Sequence, residues 1–122
     1  MRVLVVDDNR DAARSTALLV GMNGHVAEAA YSGDEALEVA RFFEPQVVLL
    51  DLAMPRMSGF ETSRRLRKLP GFSEIPVIAL TGFGDERYQE EAERYGFTSF
   101  LVKPVEFAAL QDALLKVFGV AH

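Results

Sequence analysis

The chain has 122 residues, the common size of one domain, and leaves no room for a second core. Apolar residues make up 49% of it and charged residues 25%, and no stretch is long and uncharged enough for a membrane-spanning helix, so the composition reads as that of a soluble globular protein. A net charge of −5 argues against a nucleic-acid-binding surface, and the absence of cysteine removes disulfides, thiolate metal sites and cysteine nucleophiles while fitting a reducing compartment.

In chain order, Met1-Arg2-Val3-Leu4-Val5-Val6 looks like the front of a signal peptide, but Asp7 and Asp8 end the apolar run far too early. No export signal is expected. The run reads instead as a first strand, Val3–Asp7, followed by a helix over Asp11–Asn23 that Gly24 stops. A second strand, Val26–Ala29, leads to a helix over Gly33–Phe43, where Ser32 and Glu35 have the spacing of a capping box and Pro45 marks the end. The third strand, Val47–Asp51, is followed by a helix over Gly59–Leu69, with a second capping box in Ser58 and Glu61 and a stop at Pro70-Gly71. A fourth strand, Val77–Thr81, a helix over Glu86–Tyr95, a stop at Gly96 and a fifth strand, Ser99–Val102, come next. The last helix is expected over Glu106–Phe118, with Phe107, Leu110, Leu114, Val117 and Phe118 as one core-facing stripe. Alternating βα units predict an α/β fold with a parallel sheet. The continuously apolar first, third and fourth strands predict helices on both faces of it.

Polar residues interrupt the apolar runs at the strand ends: Asp7-Asp8, Asp51, Thr81-Gly82 and Lys103-Pro104. In an open parallel sheet these carboxyl ends share one edge, where ligands bind. A carboxylate at one such end reads equally well as a helix cap. Four ends supplying acid, acid, hydroxyl and amine read as a site. Three crowded carboxylates must protonate or recruit a cation, and magnesium suits one or two carboxylates, waters and a phosphate oxygen. With Lys103 to hold an anion, the set amounts to a phosphoryl clamp in which one carboxylate can attack phosphorus.

The segments Val5-Val6-Asp7-Asp8-Asn9, Leu49-Leu50-Asp51-Leu52-Ala53-Met54-Pro55-Arg56-Met57-Ser58-Gly59, Ala79-Leu80-Thr81-Gly82 and Phe100-Leu101-Val102-Lys103-Pro104 resemble those of a response-regulator receiver domain. The resemblance spans essentially the whole chain, residues 1–122. It implies a flavodoxin-like sheet of order 2-1-3-4-5, with Asp51 as phosphoacceptor in a magnesium-dependent reaction. Asp8 would bind the metal directly and Asp7 through water, with Asp51 and the Ala53 carbonyl completing the protein ligands. Lys103 would pair with the phosphoryl group, Thr81 would hydrogen-bond to it, and Phe100 would be the switch aromatic. The Lys103-Pro104 bond would be cis, and Pro55 and Gly59 would shape the loop after Asp51. The implied partner is a histidine kinase or histidine phosphotransfer protein, with a possible homodimer through the fourth helix, fifth strand and fifth helix. Neither nucleic acid nor membrane is an expected direct partner, the expected location is the cytoplasm, and the domain is not expected to be a turnover enzyme. The segment Ala79–Leu110 resembles receivers fused to hybrid histidine kinases.

Ala53 and Phe83 stand where polar residues are frequent in the family, which predicts slow loss of phosphate. Phe100 alone would read as ordinary core, and the run Asp85–Glu91 as a solvated helix face. His25 reads as a surface residue, and neither it nor His122 as a phosphorelay histidine. A flavin mononucleotide domain is disfavoured by the acids in Asp8-Asn9-Arg10-Asp11, which repel phosphate. An aspartate-nucleophile phosphatase is disfavoured because Ala53 cannot act as acid or base. The remaining alternatives are a relay or phosphate-sink receiver with little conformational output and an interaction module without phosphorylation.

Overall fold

Side chains on successive strand residues point to opposite faces of a sheet, so an unbroken apolar run can stay in place only where helices cover both faces. The computed structural model, which describes residues 1–82 and 86–118 with the side chains of 86–88 left aside, meets that requirement with ten alternating elements. They are β1 (Arg2–Val6), α1 (Arg10–Met22), β2 (Val26–Ala30), α2 (Gly33–Phe43), β3 (Val47–Asp51), α3 (Gly59–Arg67), β4 (Val77–Thr81), α4 (Glu86–Arg94), β5 (Ser99–Val102) and α5 (Phe107–Val117). All strand pairs are parallel and the order is β2-β1-β3-β4-β5, as the family resemblance implied. Phe83, Asp85 and His122 lie outside the described residues, as do the side chains of Glu86, Arg87 and Tyr88.

Two cores follow from the alternation. Leu4, Val6, Val48, Leu50 and Ala79 face α2, α3 and α4, where Ala36, Ala40, Leu66 and Ala92 meet them. Val3, Val5, Leu49, Ile78 and Leu80 face α1 and α5, against Ala13, Val20, Leu110 and Leu114. β1, β3 and β4 are buried from end to end apart from Arg2, and only β2 and β5, the sheet edges, carry exposed positions.

Caps set the helix starts. Asn9 Oδ1 accepts from the Ala12 amide at 3.0 Å, which starts α1 at Arg10, one residue earlier than the sequence predicts. Ser32 and Ser58 Oγ accept from the amides of Glu35 and Glu61, the serine half of each capping box. The Glu61 carboxylate turns away from the cap to Arg64 and Arg65, both 2.8 Å away. Gly24 stops its helix with φ +85°, a conformation open to glycine. Ahead of Pro45, by contrast, Glu44 itself takes the left-handed conformation at φ 52°, and its carbonyl accepts from Arg2 Nε at 2.7 Å.

The predicted stripe on the last helix needs one correction. Leu110 and Leu114 are buried and Val117 and Phe118 half-buried, but Phe107 is 37% exposed. Phe107 opens α5, and Val105 in the preceding turn takes the place against the core. Nor is His25 a plain surface residue: its ring lies 5.7 Å from that of Phe118 and its Nδ1 3.2 Å from the Met1 amino group. Burial and that neighbouring charge lower its pKa.

At the edge of the sheet opposite the strand carboxyl ends, Arg67 of α3 donates to the carbonyls of Tyr95 at 2.7 Å and Gly96 at 3.0 Å, just past α4, and to Ile75 at 3.4 Å. Phe60 of α3 packs on Tyr95 with ring centroids 4.9 Å apart.

Candidate functional site

β1 and β3 are neighbours, so the acids at their carboxyl ends converge. Asp7 drops out of the β1 ladder that the sequence had assigned it to. Its carboxylate folds back instead, with Oδ1 accepting from the Asn9 amide at 3.0 Å, while its own amide donates to the Ala30 carbonyl at 3.1 Å. Asp51 ends β3, and its Oδ1 accepts from the Ala53 amide at 3.2 Å. Asp8 stands exposed beside them, and one oxygen from each of Asp7, Asp8 and Asp51 lies within 4.8 Å of the others.

Lys103, just past β5, reaches into this cluster with Nζ 3.2 Å from Asp7 Oδ2 and 3.4 Å from Asp51 Oδ2. One amine against three carboxylates leaves negative charge uncompensated. Asp51 is 3% exposed, and burial with the Asp7 charge raises its pKa to about 6 against the opposing pull of Lys103 and the Ala53 amide. Burial works against the charge of Lys103, yet Asp51 and Asp7 outweigh it and raise its pKa. A compact set of oxygen donors with excess negative charge fits a hard divalent cation such as magnesium.

Thr81 ends β4 beside Asp51 in the sheet order and is buried, and its hydroxyl donates to the Leu101 carbonyl of β5 at 3.4 Å. Phe100 is half-buried on the core face shared with α2, α3 and α4, next to a groove lined by Val102, Pro104 and Ala109. Ala53 is exposed, and Phe83 lies outside the described residues.

The loop after Asp51 is held by backbone contacts. The Met57 amide donates to the Pro55 carbonyl at 2.8 Å, Arg56 takes φ 68°, and the Gly59 amide donates to the Leu52 carbonyl at 3.0 Å. A Cβ at Gly59 would overlap the Asp51 carbonyl oxygen and lie 2.7 Å from Leu52 Cα, so the start of α3 can sit against the end of β3 only with glycine there. The Lys103-Pro104 bond is cis.

Sequence reasoning missed one contact on this edge of the sheet. The Arg10 guanidinium carbon lies 4.2 Å from the centroid of the Tyr31 ring, which follows β2 on the same sheet edge. Its signal was a cation two residues after an acid pair together with an aromatic directly after the adjacent strand.

A family model described as the response regulator receiver domain matches residues 3–115. The protein PilH of Pseudomonas aeruginosa is 34% identical over 118 residues, which are 97% of this chain and 94% of PilH. The structure of the chemotaxis protein CheY4 of Vibrio cholerae superposes with a TM-score of 0.87 at 30% identity, covering 95% of this chain and 97% of that one. NtrX of Brucella abortus gives a TM-score of 0.90 at 26% identity, and there the match covers 98% of this chain and 27% of NtrX. None of these three names is that of a hybrid histidine kinase, so the lean of Ala79–Leu110 towards kinase-fused receivers finds no support in them.

Proposed function

Because the chain belongs to the response regulator receiver domain family of two-component signalling, we propose that residues 1–122 act as one unit that accepts a phosphoryl group onto Asp51 from a phosphohistidine of a histidine kinase or phosphotransfer protein. The observation that carries this reading is the placement of Lys103 Nζ 3.4 Å from the Asp51 carboxylate inside a cluster of three acids. A carboxylate oxygen of Asp51 attacks phosphorus in line, an O–P bond forms as the N–P bond breaks, and the imidazole nitrogen leaves with the electron pair. Lys103 lies where it can move from the carboxylates to the phosphoryl oxygens. Asp7, Asp8 and Asp51, with the Ala53 carbonyl, are the groups that would hold magnesium, which when bound supplies charge neutralisation at those oxygens. The reaction is one transfer followed by hydrolysis, in which water takes the phosphoryl group as inorganic phosphate and frees the Asp51 carboxylate, not multiple turnover of a substrate.

The phosphoryl group would be read through Thr81 and Phe100. Its new acceptor oxygens compete with the Leu101 carbonyl for the Thr81 hydroxyl, whose bond there is long at 3.4 Å. A threonine drawn inward vacates space that Phe100 can fill, changing the surface of α4, β5 and α5. Val102 at 43% and Phe107 at 37% exposure offer that surface apolar contacts for a homodimer. Having no phenolic hydroxyl, Phe100 gains no hydrogen bond in either position, so its preference rests on packing and the switch is partial. No helix of the described residues is long and apolar enough to cross a membrane, and the cytoplasm is the proposed location.

Incubation with acetyl phosphate and magnesium is expected to add one phosphate to the wild type and none at this position in Asp51→Asn. Equal labelling of the two proteins would rule out Asp51 as the acceptor.

A further inference from the structure

We infer that Arg10, held against Tyr31, is a second cation of the site and meets the negative charge of the incoming phosphodonor. The inference rests on the reading of Asp51 as phosphoacceptor. Arg10 opens α1 two residues after Asp8, and Tyr31 follows the last residue of β2, to which the Asp7 amide is bonded. The pair therefore stands on the β2 side of the carboxylates, whereas Lys103 approaches them from β5. An exposed arginine ordinarily wanders among rotamers, but the face of Tyr31, 4.2 Å from the guanidinium carbon, favours one seat for this one.

Its charge is also unspent. Lys103 is shared between Asp7 and Asp51, while among the described residues Arg10 makes no ion pair with any carboxylate. A phosphodonor is an anion approaching a chain of net charge −5 at the point where three acids cluster. A cation favoured beside that entrance, with the positive end of α1 behind it, raises the local concentration of anions and orients their approach. Arg10 is thus a positioning residue that favours donors in proportion to their negative charge. The pair as mere surface packing predicts no dependence on donor charge.

The test measures Asp51 labelling rates at saturating magnesium with acetyl phosphate, a dianion at neutral pH, and phosphoramidate, a monoanion. Arg10→Gln is expected to slow acetyl phosphate about three- to ten-fold at low salt and phosphoramidate less, with the deficit collapsing at high salt. Arg10→Lys is expected to keep most of the wild-type rate, and Tyr31→Leu to fall between. Slowing that is equal for both donors, or that salt does not touch, would mean a structural role and overturn the inference, as would unchanged rates. A second readout needs neither metal nor labelling: the Arg10 Nε–Hε resonance is expected to shift on titration with millimolar inorganic phosphate. Wild-type protein that no donor labels would overturn the phosphoacceptor reading, and the titration alone would then decide, an unmoved resonance ending the role of Arg10.

Discussion

Lys103 lies nearer to Asp7, at 3.2 Å, than to Asp51, at 3.4 Å. The ammonium is thus the counter-ion of Asp7 as much as of Asp51, and under the proposed function it would have to give up part of that role to a phosphoryl group. Lys103→Met is expected to lower thermal stability without metal, because three carboxylates then face one another with no internal cation. It should also slow phosphorylation, and a melting temperature equal to that of the wild type would show that solvent ions already neutralise the cluster.

The raised pKa of Asp51 makes stability depend on pH. Its folded value of about 6 lies above its ordinary value of 3.8, so the folded state binds this proton more tightly than the unfolded chain does. The penalty for the ionised form is fully present above pH 6 and is relieved as pH falls from 6 towards 4. Asp51→Asn removes it and is expected to stabilise the metal-free fold at pH 7 by on the order of 2 kcal/mol. Urea titrations of both proteins should show the gap narrowing towards pH 4, and a gap that widens on acidification would contradict the assignment.

Chelator is expected to abolish labelling by small phosphodonors. Magnesium is expected to raise the melting temperature of the wild type, since a ligand that binds only the folded state stabilises it. Asp8→Ala should weaken that effect, and calorimetric titration with magnesium checks it directly. An affinity unchanged in Asp8→Ala would remove Asp8 from the metal site.

Gly59→Ala places a methyl group against the Asp51 carbonyl, which can yield only by moving the end of β3 or the start of α3. A loss of about 1–3 kcal/mol is expected in denaturant titrations, together with slower phosphorylation. Wild-type behaviour in both would mean the two elements separate at little cost.

Thr81→Ala removes the bond to Leu101 and the hydroxyl that the phosphoryl group would recruit. It is expected to cost about 1 kcal/mol of stability. It should also diminish the amide shift changes that a phosphoryl mimic produces around Glu86–Tyr95 and Ser99–Val102. Changes confined to the loops of Asp8, Asp51 and Lys103 in the wild type would indicate a relay or phosphate sink without a switch. Ala53→Asn should speed phosphate loss by offering a polar group to orient water, and unchanged decay would refute that account of Ala53.

The strands and their shared edge were legible because an apolar run ending in a polar residue states both burial and its limit. The cluster of Asp7, Asp8, Asp51 and Lys103 followed from that edge. Side-chain contacts across the sequence were not legible. The seat of Arg10 on Tyr31 depends on β1 lying beside β2, and the grip of Arg67 on Tyr95 and Gly96 spans nearly 30 positions. The periodicity of the last helix could not show that Phe107 falls before the core begins, because a preceding turn residue, Val105, fills the space. Nor could the Ser58 and Glu61 spacing show that the glutamate prefers Arg64 and Arg65 to its cap.

The hold of Arg67 on the chain just past α4 constrains the form of any signal that travels through that helix. Two hydrogen bonds, to Tyr95 and Gly96, and the tilted packing of Phe60 on Tyr95 anchor the heel of α4 to α3, at the end of the sheet remote from the acids. Sliding the whole helix would break them together, whereas tilting it about that heel would break none. With Arg67 as its fulcrum, α4 would answer a displacement at the end nearest Thr81 by pivoting rather than by sliding.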